Sequence, residues 1–169
     1  MITQVRFDEY APQAMEQLRK GGAFLTVRQG DKLNTMTIGW GTIGYIWRLP
    51  IFTVLVRHNR YTYQLLKDND SFSVSIPLND SLKSQLAFCG SKSGRDIDKF
   101  KACTLSPQPA QVISTPVIAE CPLHYECAIV YAQPMELGTL SKEVQQDYYQ
   151  DQAIHTIYYG KILTSYLNR

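Results

Sequence analysis

The run Ile51-Phe-Thr-Val-Leu-Val56 constrains the fold more than any other stretch of the chain. It is near-continuously apolar, short and β-branched, the signature of a strand buried on both faces. Pro50 marks its start, where a missing N–H does least harm.

Strand signals surround that run. Residues 23–28 are apolar and β-branched, and Gly30-Asp31 turns the chain into residues 33–40. Residues 41–47 follow, then the buried run to Arg57, then residues 72–76 ending at Pro77. Further strands are expected over 116–119, 123–131, 135–140 (just after Pro134) and 155–166. Helical signals are shorter. Residues 8–20 place Tyr10, Ala14 and Leu18 four apart beside Met15, and Gly21-Gly22 stops them. Asn59 is expected to cap a helix over 60–67 with Tyr61, Leu65 and Leu66 inward, and Asp80 one that runs to Phe88 with Leu82 and Leu86 inward. Asp96 to Phe100 reads as another helix start, and Ser141 opens a polar helix to about Gln150. Pro107, Pro109 and Pro116 make their stretch extended and irregular.

About eight strands with short helices between them give a mainly β fold, a closed or partly closed antiparallel barrel in a single domain over residues 1–169. The connections are too short for repeated βαβ crossovers, and no G-x-G-x-x-G follows a strand. A Rossmann sheet is therefore not expected.

Composition removes several functions. A formal charge of +2 with scattered cations argues against nucleic acid. No apolar run approaches the roughly 20 residues of a membrane span, and residues 1–10 lack the apolar core of a secretory signal. Cys89, Cys103, Cys121 and Cys127 are too spread for a disulfide framework or a zinc site, so free, mostly buried thiols in a reducing cytoplasm are expected. Eleven tyrosines suit a flat ligand or a partner subunit.

Three segments carry candidate chemistry. Cys89-Gly-Ser-Lys-Ser-Gly-Arg-Asp-Ile-Asp-Lys-Phe100 has a backbone free to curl and places Lys92, Arg95 and Lys99 around it. Such a loop offers N–H groups and cations to a phosphate or to an electron-rich ring edge, and it reads equally as a solvated turn. Asn34-Thr-Met-Thr-Ile-Gly-Trp40 is a strand whose Gly39 permits close approach of a ligand and whose Trp40 could wall a flat one; taken alone, a bulged core strand fits it better. In Arg57-His-Asn-Arg-Tyr-Thr62, Arg57, Arg60 and the Thr62 hydroxyl make a phosphate clamp or simply flank a helix start. His58 and His124 read as surface or core histidines, and no nucleophile–base set emerges from spacing.

The ordered set is more specific than any member. Asn34-x-Met-Thr-Ile-Gly-Trp40, Pro50 before an apolar strand, Arg60-Tyr-Thr62, Phe72-Ser-Val-Ser-Ile-Pro77 and the 89–100 loop occur in that order. Pro116-Val-Ile-Ala-Glu-Cys121, Tyr125-Glu-Cys127 and His155-Thr-Ile-Tyr-Tyr-Gly-Lys-Ile-Leu163 continue it over nearly the whole chain. The sequence thus resembles the flavin reductase-like family of FMN-binding split barrels, in particular the short branch that includes flavoredoxin.

The resemblance implies a homodimer that binds FMN (FAD is possible) near the interface, with NADH or NADPH as co-substrate giving hydride to flavin N5. It implies that Asn34 belongs to the cofactor site, that Met36, Thr37, Ile38, Gly39 and Trp40 line the ring, and that Arg57, Arg60, Tyr61 and Thr62 hold the phosphate and ribityl end. Cys89, Gly90, Ser91, Lys92 and Ser93, with the 98–100 turn, would close over the ring. Lys92 or Lys99, with Trp40, would tune it, Cys89 would not be a nucleophile, and neither a side-chain acid or base nor a metal is required. Two other readings stay open: an FMN electron carrier served by a redox partner protein, and a cofactor-less barrel used for binding.

Overall fold

The computed structural model describes residues 1–168. Strand β1 (Ile2–Gln4) leads to helix α1 (Ala11–Lys20), then to β2 (Ala23–Gln29), β3 (Lys32–Ile38), β4 (Gly41–Ile46) and β5 (Leu49–Arg57). Helix α2 (Tyr61–Leu66), strand β6 (Ser71–Ile76) and helices α3 (Lys83–Ser91) and α4 (Lys99–Cys103) follow. Strands β7 (Pro107–Gln108), β8 (Val117–Ile118) and β9 (Leu123–Pro134), helix α5 (Lys142–Tyr148) and β10 (His155–Asn168) complete the order.

Eight strands form one sheet in the order β3-β2-β6-β9-β10-β5-β4, with β1 beside β10. All its pairings are antiparallel. β10 is the spine, because it pairs with β1, β5 and β9. Register shifts at Tyr159/Gly160 and Ile162/Thr164 bend it, which helps curl the sheet. Ile51, Phe52, Val54 and Val56 are all fully buried, as the apolar run requires. Phe52, Val54 and Val56 join Leu25, Val74, Tyr125 and Ile162 in the main core. A second cluster, with Phe24, Leu86, Cys89, Phe100 and Cys121, seats α3 and α4 against the sheet.

The barrel is split where the two ends of the sheet approach each other. β4 pairs with β5 only as far as Gly41 opposite Val54, so Leu55–Arg57 continues without a partner on that side. β3 has β2 on one edge and, among the described residues, no strand on the other. Gly39 and Trp40 carry the chain from β3 to β4 across this gap.

Several local expectations need correction. Residues 135–140 are not a strand: β9 runs through Pro134, and a 3-10 turn spans Leu137–Thr139. The last bond of that region, Met135 N–H to the His155 carbonyl, marks where the ladder runs out of partner. Asn59 caps nothing, because Arg60 occupies the N-cap of α2 with no side-chain cap bond. Asn79, not Asp80, caps the turn before α3, accepting from Ser81 N–H at 2.9 Å. Pro50 lies inside β5, opposite Tyr45. α3 extends to Ser91, which places Cys89 and Gly90 in a helix rather than a loop.

Candidate functional site

A cleft of about 420 Å³ opens at the split. Residues 36–40, Leu55, Arg57, Asn59, Arg60 and His155 line it. It adjoins a second cleft of about 290 Å³, the two sharing Met36, Asn59 and Arg60. Asn34, Tyr61, Thr62, residues 91–95 and Lys99 line the second. Together they fall in the usual range of small-molecule sites, roughly 300–1,000 Å³. Met36 and Ile38 bury their side chains, so β3 contributes chiefly its unpartnered backbone edge. The Thr37 hydroxyl donates to the Leu86 carbonyl and holds that edge against α3.

The second cleft is cationic. Arg60, Lys92, Arg95 and Lys99 line it, and none has a carboxylate within ion-pair distance among the described residues. Lys99 is 4% exposed and donates to the carbonyls of Thr35 (3.0 Å) and Cys89 (2.8 Å). Burial, with the nearby Arg60 charge, pushes its pKa down. An ammonium has three N–H donors, so one is left for the cleft. Arg60 donates to the Gly90 carbonyl at 2.9 Å, and Arg95 donates to the Asn59 carbonyl while its guanidinium lies over the Tyr61 ring. These contacts tie the 91–95 loop to the start of α2. Asn34 Nδ2 donates to Thr62 Oγ1 at 2.9 Å, and the Thr62 O–H remains to donate elsewhere. Gly94 is required beside it, since a Cβ there would overlap the Asn34 amide and stand 3.1 Å from the Tyr61 ring.

The first cleft is aromatic and neutral at its far end. Trp40 meets Tyr148 edge-on at 5.1 Å and His155 at 5.3 Å. His155 Nδ1 lies 2.9 Å from the Tyr149 hydroxyl. Burial, reinforced by Arg57 and Arg60, pushes the His155 pKa down to about 4, so the imidazole is neutral at pH 7. Arg57 is spoken for: it donates to the Tyr148 carbonyl at 2.7 Å, pairs with Asp151 and lies over the Tyr149 ring. It anchors α5 beside the cleft.

Most of the residues singled out from the sequence come together here. Asn34, Tyr61, Thr62, Ser91, Lys92, Ser93 and Lys99 line the second cleft, Thr37, Ile38, Gly39, Trp40 and Arg57 the first, and Met36 and Arg60 both. Arg57 is separated from the clamp expected of it with Arg60 and Thr62, because it faces the other cleft and carries its own counter-ion. Cys89 and Gly90 line neither cleft. The Cys89 thiol is fully buried 3.9 Å from Cys103 Sγ, and burial pushes its pKa up to about 12. It is a packing residue. The sequence reading missed His155, Leu55, Asn59 and Gly94 as lining residues, whereas Arg95, read there as one of the cations around the 89–100 loop, lines the second cleft. His155 has no local signal, because it arrives through the pairing of β10 with β5 opposite Arg57.

All four cysteines are free and buried, and among the described residues no helix is long and apolar enough to cross a membrane.

Comparison with known proteins agrees with this architecture. An uncharacterized protein of Archaeoglobus fulgidus is 28% identical over 149 residues, covering 88% of this chain and 73% of its own length. Among solved structures, an FMN-binding domain of flavin reductases-like enzyme from Shewanella baltica superposes with a TM-score of 0.69 at 16% identity, covering 99% of this chain and 77% of that one. Flavoredoxin of Desulfovibrio vulgaris gives 0.68 at 21% identity over 88% of this chain and 69% of its own. The NADH:FAD oxidoreductase SgcE6 of Streptomyces globisporus gives 0.65 at 21%, covering 86% and 73%. The profile of the flavin reductase like domain matches residues 15–169, and the chain belongs to that family, with its split-barrel fold.

Proposed function

We propose that the adjoining clefts hold FMN and that the chain is an NAD(P)H-dependent flavin reductase. The observation that carries this reading is the cluster of Arg60, Lys92, Arg95 and Lys99 without a carboxylate partner, set beside an open strand edge. Uncompensated cations converging on a concave site call for an anion, and a phosphate with charge-assisted hydrogen bonds satisfies them. The residues fit the group at its other end as well. The edge of β3 offers N–H and C=O groups to a heterocycle, and Trp40 and His155 wall the flat space next to it.

Bound there, FMN would supply two-electron chemistry between a reduced nicotinamide and an acceptor. The chain's own part is to bind, orient and bias. Arg60, Lys92 and the Thr62 hydroxyl fix the phosphate. Lys99, held by two carbonyls, places a positive charge beside the β3 edge, where it favours negative charge on a bound ring. Neutral His155 keeps the far end free of a second full charge. Trp40 and Tyr148 are 41% and 48% exposed there, and we place a second copy of the chain against them, giving a homodimer with the site near its interface.

The test is anaerobic addition of NADH or NADPH to the FMN-loaded protein. Loss of the flavin's visible absorbance with either supports a reductase. Loss only with a chemical reductant makes the protein an electron carrier, and failure to take up FMN rejects both.

A further inference from the structure

Cys89 Sγ and Cys103 Sγ are, among the described residues, the one pair of cysteine sulfurs in contact, 3.9 Å apart. They stand on different helices, α3 and the last residue of α4, within the second apolar cluster. Cys121 in the same cluster and Cys127 in the main core make no such contact. Between the paired cysteines, residues 90–102 hold Lys92, Arg95 and Lys99, three of the four cations of the second cleft. The backbone beside Cys89 supports the same cleft. Its own carbonyl accepts from Lys99 at 2.8 Å, and the Gly90 carbonyl accepts from Arg60 at 2.9 Å.

We propose that Cys89 and Cys103 form a reversible disulfide that staples the two ends of the cationic loop, so that oxidation tightens flavin binding. The pairing stands on the sulfur geometry alone, and only its effect on affinity rests on the flavin reading above. The sulfurs must approach by about 2 Å to bond. Cys103 ends α4, and helix ends fray more readily than helix middles. The oxidant is hydrogen peroxide. Cys103 is 9% exposed and Cys89 fully buried, so peroxide meets Cys103 first. The Cys103 sulfur takes one oxygen, giving a sulfenic acid and one water. The Cys89 sulfur then attacks it: the S–S bond forms, the S–O bond breaks, and the hydroxyl leaves with the Cys89 proton as a second water. Two electrons pass from the pair of sulfurs to peroxide. Burial keeps Cys89 in its thiol form, with the Lys99 charge opposing this, which suits it to resolve the sulfenic acid and not to meet peroxide itself. Once closed, the bond removes loop conformations in which Lys92, Arg95 and Lys99 do not converge. Less ordering is then left for the arriving phosphate to impose.

The experiment treats the full, reduced, flavin-free chain with hydrogen peroxide and counts thiols after unfolding. The count should fall from four to two, and dithiothreitol should restore it. Peptide mapping of the natural chain, which depends on no variant, should join the segments that hold Cys89 and Cys103. Cys121→Ser should lose the same two thiols. In Cys89→Ser the reaction should stop at a sulfenic acid on Cys103, trapped by dimedone. The oxidised chain should bind FMN about threefold or more tightly than the reduced one, with slower amide exchange over residues 90–102. Four surviving thiols, a bond to Cys121 or Cys127, or sulfinic acid on Cys103 in place of a disulfide overturns the pairing. A disulfide that leaves FMN affinity unchanged overturns its effect on the cleft. A disulfide in a chain that binds no FMN in either state overturns the flavin reading and leaves the pairing standing.

Discussion

Arg60 reaches across the cationic cleft to donate a hydrogen bond to the Gly90 carbonyl at 2.9 Å. One residue thereby couples the start of α2 to the last turn of α3. It spends one N–H on the scaffold and keeps the rest of its fork for a ligand.

Arg60→Ala should therefore weaken FMN binding. Losing one charge-assisted phosphate contact costs about 1.5–3 kcal/mol, roughly a 10- to 150-fold rise in Kd. Titration of both proteins by flavin fluorescence checks it, and an unchanged Kd removes Arg60 from the site.

His124 gives a prediction about pH. It is fully buried, its Nδ1 lies 3.1 Å from Ser75 Oγ, and its Nε2 has no hydrogen-bond partner among the described residues. Burial pushes its pKa down to about 4. The unfolded chain, with a histidine pKa near 6.5, takes up the proton first as pH falls. This contribution to stability is therefore complete above pH 6.5 and is lost between about 6.5 and 4. Urea unfolding at pH 7 and pH 4 should show His124→Asn losing less stability than the natural chain over that interval, by an amount on the order of 3 kcal/mol. Equal losses would show that His124 does not titrate in this way.

Gly160 tests the spine of the fold. A Cβ there would overlap the Phe72 ring and stand 2.7 Å from the Cys127 Cβ, at a register shift between β9 and β10. Gly160→Ala should lower stability by about 1–3 kcal/mol, read as a lower denaturation midpoint. Flavin affinity at low temperature should hardly move, since Gly160 lines neither cleft.

What the sequence discloses follows the range of the interactions concerned. The Ile51–Val56 run and the Gly21-Gly22 stop are local signals, and β5 and α1 stand where those signals put them. Residues 135–140 misled because strand-like alternation says nothing about whether a partner strand is present, and among the described residues none is. Asn59 and Asp80 are good capping types one residue away from a working cap position, a difference decided by backbone angles. At the site, the 91–95 loop and Thr62 were legible as polar, cationic punctuation. Arg57 was not legible as the partner of Asp151, nor His155 as a wall, because both depend on the β10–β5 register across almost a hundred residues.

The most direct test of the phosphate cradle is a parallel titration of flavin-free protein with FMN and with riboflavin, which has the same ring and no phosphate. Saturation at one FMN per chain, with riboflavin at least about tenfold weaker, is the predicted result, since each charge-assisted contact contributes about 1.5–3 kcal/mol. Equal affinity for the two flavins, or no saturable binding of either, would contradict it.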